Sequence, residues 1–476
     1  MDSRQPPHIL LVAYPIQSHI NPALQFAAHL LRSGAHVTLA TTVSGAKRMN
    51  KSGGAAPAGL SFATISDGFD DGFKSAADKP VADSYMTSLK RRGAETLFDL
   101  IAAGGSPPYT CVVYTILLSW VAEVAHRHRL PSALLWIQNA ALYAIYYHYF
   151  NGYGDVIDQC DENDPEWSVE LPSLPPLRAR DLPSFLAPSN PYSFAGESLK
   201  EQFEELERNE NPIILVNTFD SLEHEIIESL NPRFKISAVG PLLPNDSSSS
   251  DFKVELFKRP EEDYVAWLDT KPDNSVVYVS FGSISVLSKT QKEEIALALL
   301  ECKRPFLWVI RKDLGEEEKE EEVTSRWEEL RELGMVVTWC SQVEVLSHKA
   351  VGCFVTHCGW NSTLESLTAG VPVVGVPQWT DQLTNAKMLE SAWGVGVRVR
   401  VEGTVAEEKV VGREELRRCV EEVMESEEMR ENARRWREKA VEAVGENGSS
   451  EVNVRAFVEE VWKMSRTRFD VDQEEL

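Results

Sequence analysis

The side chains best suited to do chemistry stand in one run, WCSQVEVLSHKAVGCFVTHCGWNSTLESLTAGVPVVGVPQWTDQ, from Trp339 to Gln382. A bulky aromatic opens it and an acid–amide pair, Asp381 and Gln382, closes it. Between them VGCFVTH (Val351 to His357) reads as a buried strand of β-branched and aromatic residues. The strand breaks at Cys358-Gly359. Asn361 and Ser362 are helix-capping types, opening a helix over Thr363 to Ala369 that Gly370 and Pro372 stop. Such a turn leaves unpaired backbone N–H groups and the positive end of the helix dipole at the carboxyl edge of a sheet, where a phosphate would sit.

His19 is a second candidate. It follows the first strand and precedes Asn21-Pro22, which suit an N-cap and first helical residue. The helix expected there repeats apolar residues at Ala23, Phe26, Ala27, Leu30 and Leu31 before Gly34 ends it. An imidazole beside a helix N-terminus is biased toward its neutral form and can accept a proton. Position alone leaves open a base or a simple helix cap. His357-Cys358 does not make a metal site, because adjacent residues at a strand end point apart and no second cluster completes one.

Short apolar strands alternating with helical patterns must position these groups, which argues for parallel sheets with helices on both faces. Strands are read at 8–14, 36–41, 60–65, 111–114, 133–137 and 214–217, then at 276–280, 306–310, 336–339, 352–356 and 373–376. Gly240-Pro241 and the NDSSSSD tract (Asn245 to Asp251) read as a flexible linker. With 476 residues, more than one core usually organises, two domains are expected, 1–245 and 246–476. No GxGxxG follows the first strand, which weakens a nicotinamide-dehydrogenase reading. The one clear Asp-x-Asp, Asp470-Val471-Asp472, lies in an acidic tail.

The Trp339–Gln382 run resembles the signature box of plant family 1 UDP-glycosyltransferases over its whole length. HILLVAYPIQSHINPALQFAAHLL, SDGFDDGF, VNTFDSLE and VVYVSFGS stand where that family has similar segments. SDGFDDGF (Ser66 to Phe73) and CVVYTILLSW (Cys111 to Trp120) look most like the subgroup that glucosylates crocetin, plant-hormone carboxylates and anthocyanins. The resemblance implies two facing Rossmann-like α/β domains, the glycosyltransferase B fold, with an acceptor-binding first domain and a UDP-sugar-binding second one, and ligands in the intervening cleft. It makes His19 the catalytic base, through a pattern in which Ser18 stands where Gly is usual. It gives Trp339 the uracil face, with Gln342 beside the base or ribose. His357, Asn361, Ser362 and backbone donors near Trp360 take the pyrophosphate, with Ser283 approaching from SFGS. It assigns Glu365 to the ribose hydroxyls, although Ser362-x-x-Glu365 is also a capping box. Asp381 and Gln382 take the sugar, a terminal Gln going with glucose.

One departure bears on mechanism. Where the family has an Asp after the fourth strand to orient the histidine, this chain has Thr115. Thr cannot stabilise an imidazolium by charge. A carboxylic acid is already ionised at neutral pH, and an acidic phenol needs only a weak base, so the substitution points to such acceptors. Trp136, Tyr143 and Tyr146 either wall a cleft for a flat apolar acceptor or pack as core aromatics.

A formal net charge of −25 argues against nucleic acid and anionic membranes as partners. Seven cysteines without paired spacing fit reduced thiols in the cytoplasm. The apolar stretch 133–150 is interrupted by Gln138, Asn139 and His148, which favours a strand and an aromatic helix over a membrane span. The expectation is a monomeric, metal-free, inverting O-glucosyltransferase using UDP-glucose on a phenolic hydroxyl or carboxylic acid. The alternatives are another UDP-sugar donor (xylose, galactose or glucuronate) or a non-catalytic sugar-nucleotide binder.

Overall fold

The computed structural model of the chain describes residues 6–49, 57–72, 82–161, 164, 166–187, 190, 193–244, 263–282, 287–310, 326–400 and 410–474. The chain forms two compact units. The first comprises Met1–Gly154, Ser189–Phe257 and Glu442–Leu476; the second comprises Asp155–Pro188 and Lys258–Val441. The division therefore does not follow a single cut, and residue 245 lies outside the described residues.

The first unit carries a seven-stranded parallel sheet. From edge to edge its strands are Leu60–Ile65, His36–Thr42, His8–Val12, Cys111–Thr115, Ser132–Trp136, Ile213–Val216 and Lys235–Ala238. His8–Val12 and Cys111–Thr115 are buried along their whole length, as strands covered on both faces must be. The second unit carries a six-stranded parallel sheet: Met335–Val337, Phe306–Val309, Val276–Ser280, Val351–Thr356, Val373–Gly375 and Gly396–Arg398. Apolar clusters around Phe306 and Trp308, and around Tyr278 and Phe354, pack against this sheet. Both units are Rossmann-like α/β domains.

In each sheet the strand order reverses direction once near the centre. The reversal falls between His8–Val12 and Cys111–Thr115 in the first, and between Val276–Ser280 and Val351–Thr356 in the second. The crevice beyond the carboxyl ends of such strands is where open α/β sheets bind ligands. His19 and Thr115 lie at the first reversal, Gly282 and His357 at the second.

Every strand expected from the sequence is present to within two residues at either end. Lys235–Ala238, Gly396–Arg398 and the hairpin Ser168–Val169/Leu177–Arg178 are additional to those expected. Gly240-Pro241 is not linker. The Gly240 N–H donates to the Thr218 carbonyl at 2.8 Å and the Ser450 hydroxyl donates to the Gly240 carbonyl at 2.5 Å, fixing the segment within the first unit. Among the described residues no helix is long and apolar enough to cross a membrane.

Candidate active site

In the first unit the helix Gln17–Arg32 starts earlier than its sequence suggests. Ile16 is the N-cap, Pro22 lies inside the helix, and His19 sits in the first turn instead of ahead of it. The helix dipole consequently acts on His19 at close range, favouring neutral imidazole. His19 is buried, and burial pushes its pKa down to about 3. Its Nδ1 lies 3.2 Å from the hydroxyl oxygen of Thr115, the last residue of the strand Cys111–Thr115. That oxygen also accepts the Tyr14 N–H at 3.1 Å. A hydroxyl can either donate to or accept from a ring nitrogen, so Thr115 orients the imidazole without the charge an aspartate would bring.

Sequence reasoning missed Tyr14, the aromatic neighbour of His19. The half-buried Tyr14 ring stands 5.2 Å from the imidazole, centroid to centroid, and its hydroxyl donates to Met86 Sδ at 3.6 Å. Tyr85 donates to the buried Asp67 carboxylate at 3.1 Å and lies 5.8 Å from the Phe69 ring. Asp67 and Phe69 come from the SDGFDDGF segment, which has the motif but no periodic pattern to reveal this role.

Trp136, Tyr143 and Tyr146 do not wall an open cleft. Each is at most 2% exposed, and they pack edge-on to one another and to Phe203 and Phe234. They are core, because their strand and helix are covered on both sides. The helix Ala140–His148 that carries two of them is capped by Asn139, which accepts from the Leu142 N–H at 2.7 Å. The buried Glu223 carboxylate accepts the Ala140 and Ala141 N–H groups at 2.9 Å each. VNTFDSLE thus ends in a carboxylate that satisfies the orphan donors of a helix start.

In the second unit the helix Trp360–Ala369 also begins earlier than expected, with Gly359 as N-cap. Ser362 and Glu365 therefore lie inside the helix, and the capping-box alternative for Glu365 falls. Cys358 holds the turn before it in the left-handed region at φ 63°. His357 Nδ1 lies 3.3 Å from the Thr356 hydroxyl. The far side of its ring is walled by glycines: a Cβ on Gly282 would lie 2.8 Å from Nε2, and one on Gly359 2.5 Å. A side chain at either position would press on the imidazole, and Gly282, at φ 76°, also holds a left-handed backbone. Ser283 lies outside the described residues.

Gln342, Ser362 and Glu365 form one network. The Gln342 amide donates to Ser362 Oγ at 2.8 Å and to the Glu365 carboxylate, while its carbonyl accepts from Tyr278 at 3.2 Å. Glu365 is half-buried, and its desolvation raises its pKa to about 7. Trp339 and Asn361 keep part of their surface exposed, so Trp339 is no core residue. The Trp360 ring instead packs against Trp393, 5.9 Å away.

The backbone N–H of Trp360 donates to Asp381. Asp381 further accepts from the Thr380 hydroxyl and the Asn385 amide, each at 2.7 Å, and Asn385 also donates to the Cys358 carbonyl at 2.8 Å. Burial raises the Asp381 pKa against these bonds. Gln382 turns its carbonyl inward, accepting the Gln378 N–H at 2.9 Å and the Trp379 N–H at 3.2 Å. Both partners are donors, so the oxygen is fixed and only the amide NH₂ remains for a ligand. The second unit thus gathers an aromatic face, a polar network, a helix N-terminus with an imidazole, and an acid–amide pair. Among the described residues no three His, Cys, Asp or Glu side chains cluster as metal ligands.

Residues 192–438 match the family described as UDP-glucoronosyl and UDP-glucosyl transferase. The chain is 52% identical to UDP-glycosyltransferase 75C1 of Solanum lycopersicum, over 96% of this chain and 99% of that one. It is also 52% identical to the crocetin glucosyltransferase, chloroplastic, of Gardenia jasminoides, over 96% and 98%. Among solved structures it resembles Os79 from O. sativa in complex with UDP, with a TM-score of 0.81 and 32% identity over 95% of this chain and 100% of that one.

Proposed function

The chain belongs to the UDP-glucoronosyl and UDP-glucosyl transferase family and is a UDP-glycosyltransferase of the glycosyltransferase B class, and from that premise we propose how its residues divide the reaction. Glucose passes from UDP-glucose to a phenolic hydroxyl or carboxylate of a small plant metabolite. The acceptor oxygen bonds to the anomeric carbon from the face opposite UDP, and the bond to the phosphate oxygen breaks, leaving UDP and a β-glucoside or β-glucose ester. Trp339 stacks the uracil, Glu365 and Gln342 take the ribose, and Asp381 with the Gln382 NH₂ takes the sugar. His357, Asn361, Ser362 and the amino end of the helix stabilise charge developing on the departing phosphate, the electrostatic contribution expected to dominate. No step calls on a metal ion.

The observation that carries the acceptor class is the contact of His19 with a hydroxyl at 3.2 Å, in place of a carboxylate. A phenol gives its proton to His19. An ionised carboxylate has none to give. Tyr14, Phe69 and Tyr85, not Trp136, Tyr143 and Tyr146, supply the flat apolar surface for the acceptor. We further propose that it works as a monomer, and in the cytoplasm, the latter supported by seven cysteines none of which is disulfide-bonded.

Incubation with UDP-glucose and a panel of flavonoids and aromatic acids, with products detected by mass spectrometry, tests the reading. Hexosylated products from both acceptor classes are expected. Binding of UDP-glucose without any product would favour a non-catalytic sugar-nucleotide binder, and turnover only with another UDP-sugar would move the donor assignment.

A further inference from the structure

A segment some two hundred residues upstream in the chain holds the loop that carries Asp381 and Gln382. Ser184 and Thr380 exchange two hydrogen bonds: the Ser184 N–H donates to the Thr380 carbonyl at 3.0 Å, and the Thr380 N–H donates to Ser184 Oγ at 2.7 Å. Thr380 sits at φ 59°, a left-handed conformation that a β-branched residue adopts only when its surroundings impose it. The paired bonds from Ser184 impose it here.

A second tie lies one turn along. The Thr384 hydroxyl donates to the Asp181 carbonyl at 2.8 Å. Asp181 is itself fixed: its buried carboxylate accepts the Arg178 N–H and the Arg398 guanidinium at 2.9 Å each. Arg398 also donates to the Arg180 carbonyl at 2.5 Å. These residues all belong to the second unit, where Asp155–Pro188 packs beside Lys258–Val441. Thr380 passes the constraint on, because its hydroxyl donates to the Asp381 carboxylate at 2.7 Å.

We propose that Ser184 is a positioning residue for sugar selectivity, acting through Thr380 on Asp381 and Gln382; this rests on the sugar role proposed for that pair. Discrimination between epimeric hexoses depends on hydroxyls meeting lone pairs and N–H groups at fixed places, so a loop free to relax loses selectivity before it loses affinity for the nucleotide.

The test is competition between UDP-glucose and UDP-galactose at equal concentration, with UDP affinity measured alongside. Ser184→Ala removes the acceptor for the Thr380 N–H and leaves the reciprocal bond. It should lower the glucose-over-galactose preference by on the order of threefold or more with UDP affinity unchanged, and Ser184→Thr, which keeps the oxygen, should restore it. A folded Ser184→Ala protein with undiminished preference overturns the proposal. Should that variant not fold, Ser184→Cys, which keeps the volume and replaces the accepting oxygen by a weakly accepting sulfur, is measured in the same competition: a lowered ratio supports the proposal and an undiminished one overturns it. A wild-type protein that does not discriminate at all removes the sugar role of Asp381 and Gln382 and this inference with it.

Discussion

The Thr115 hydroxyl lies 3.2 Å from His19 Nδ1 and takes the place of a charged partner for the proposed base, whose pKa burial has lowered to about 3. His19 is therefore neutral throughout the physiological range. Phenol transfer should show no ascending limb from His19 between about pH 5 and 8. Thr115→Asp would set a carboxylate beside the ring, favour imidazolium, and raise the His19 pKa. The imidazole can take a proton only when neutral, so the variant should lose activity as pH falls through the raised pKa, and gain roughly tenfold on weakly acidic phenols above it. A pH–rate profile with one simple phenol checks this; an unchanged profile would show that Thr115 does not govern the base.

Gly359 offers a clean steric test of His357. Its φ of −59° suits any residue, so alanine brings no backbone strain, but the new Cβ would stand 2.5 Å from the imidazole Nε2. Gly359→Ala should leave the stability within about 1 kcal/mol of wild type and lower kcat/KM by about tenfold or more through displacement of His357. Full activity would mean that His357 has no part in holding the phosphates.

Glu365 should show a trade of stability for binding. Its folded pKa of about 7 lies above the ordinary 4.5, so the fold favours the protonated form. The cost of ionisation is absent below about pH 4.5, grows as pH rises to about 7, and is complete above. Glu365→Gln should then stabilise the protein at pH 8 by on the order of 1 kcal/mol, water at the half-buried group limiting the gain, with none near pH 4. UDP affinity should fall severalfold. Loss of stability with unchanged UDP affinity would make Glu365 purely structural.

Gln382 spends its carbonyl on two backbone N–H groups, which leaves only its NH₂ donors for the sugar proposed to bind there. UDP-glucose should exceed UDP-galactose by roughly tenfold in kcat/KM, because one misplaced hydroxyl leaves a buried polar group unpaired. Gln382→Glu keeps the inward oxygen and removes the donors, so it should erase most of this gap, at some cost in stability from a second buried carboxylate beside Asp381. Gln382→His should narrow the gap and also lower both rates, since one imidazole nitrogen cannot replace an oxygen accepting twice. Ratios from the two donors in competition decide; a constant ratio across both variants removes Gln382 from sugar choice.

The strands and the gathering of the Trp339–Gln382 run into one unit are legible in the sequence because fully apolar runs and an unbroken motif are local signals. What sequence misses is set by tertiary contact. The helix starts at Gln17 and Trp360 come earlier than the capping residues suggest, since backbone turns at Ile16 and Gly359, without side-chain caps, begin them. Lys235–Ala238 and Gly396–Arg398 are short edge strands whose pairing, not their composition, makes them strands. Trp136, Tyr143 and Tyr146 have the right chemistry for an acceptor wall, yet periodicity cannot tell a lined pocket from a packed core. Gly282 and Gly359 are visible as motif letters, but their purpose emerges only when His357 is seen between them.

The proposed division of labour gives His19 the acceptor proton and the Trp339–Gln382 run the donor. It is tested most directly by His19→Ala, measured for transfer from UDP-glucose to a phenol and to a carboxylate and for UDP affinity. Phenol transfer should drop on the order of 10²–10⁴-fold, carboxylate transfer much less, and UDP affinity hardly at all. Equal losses for the two acceptors, or loss of UDP binding, would contradict it.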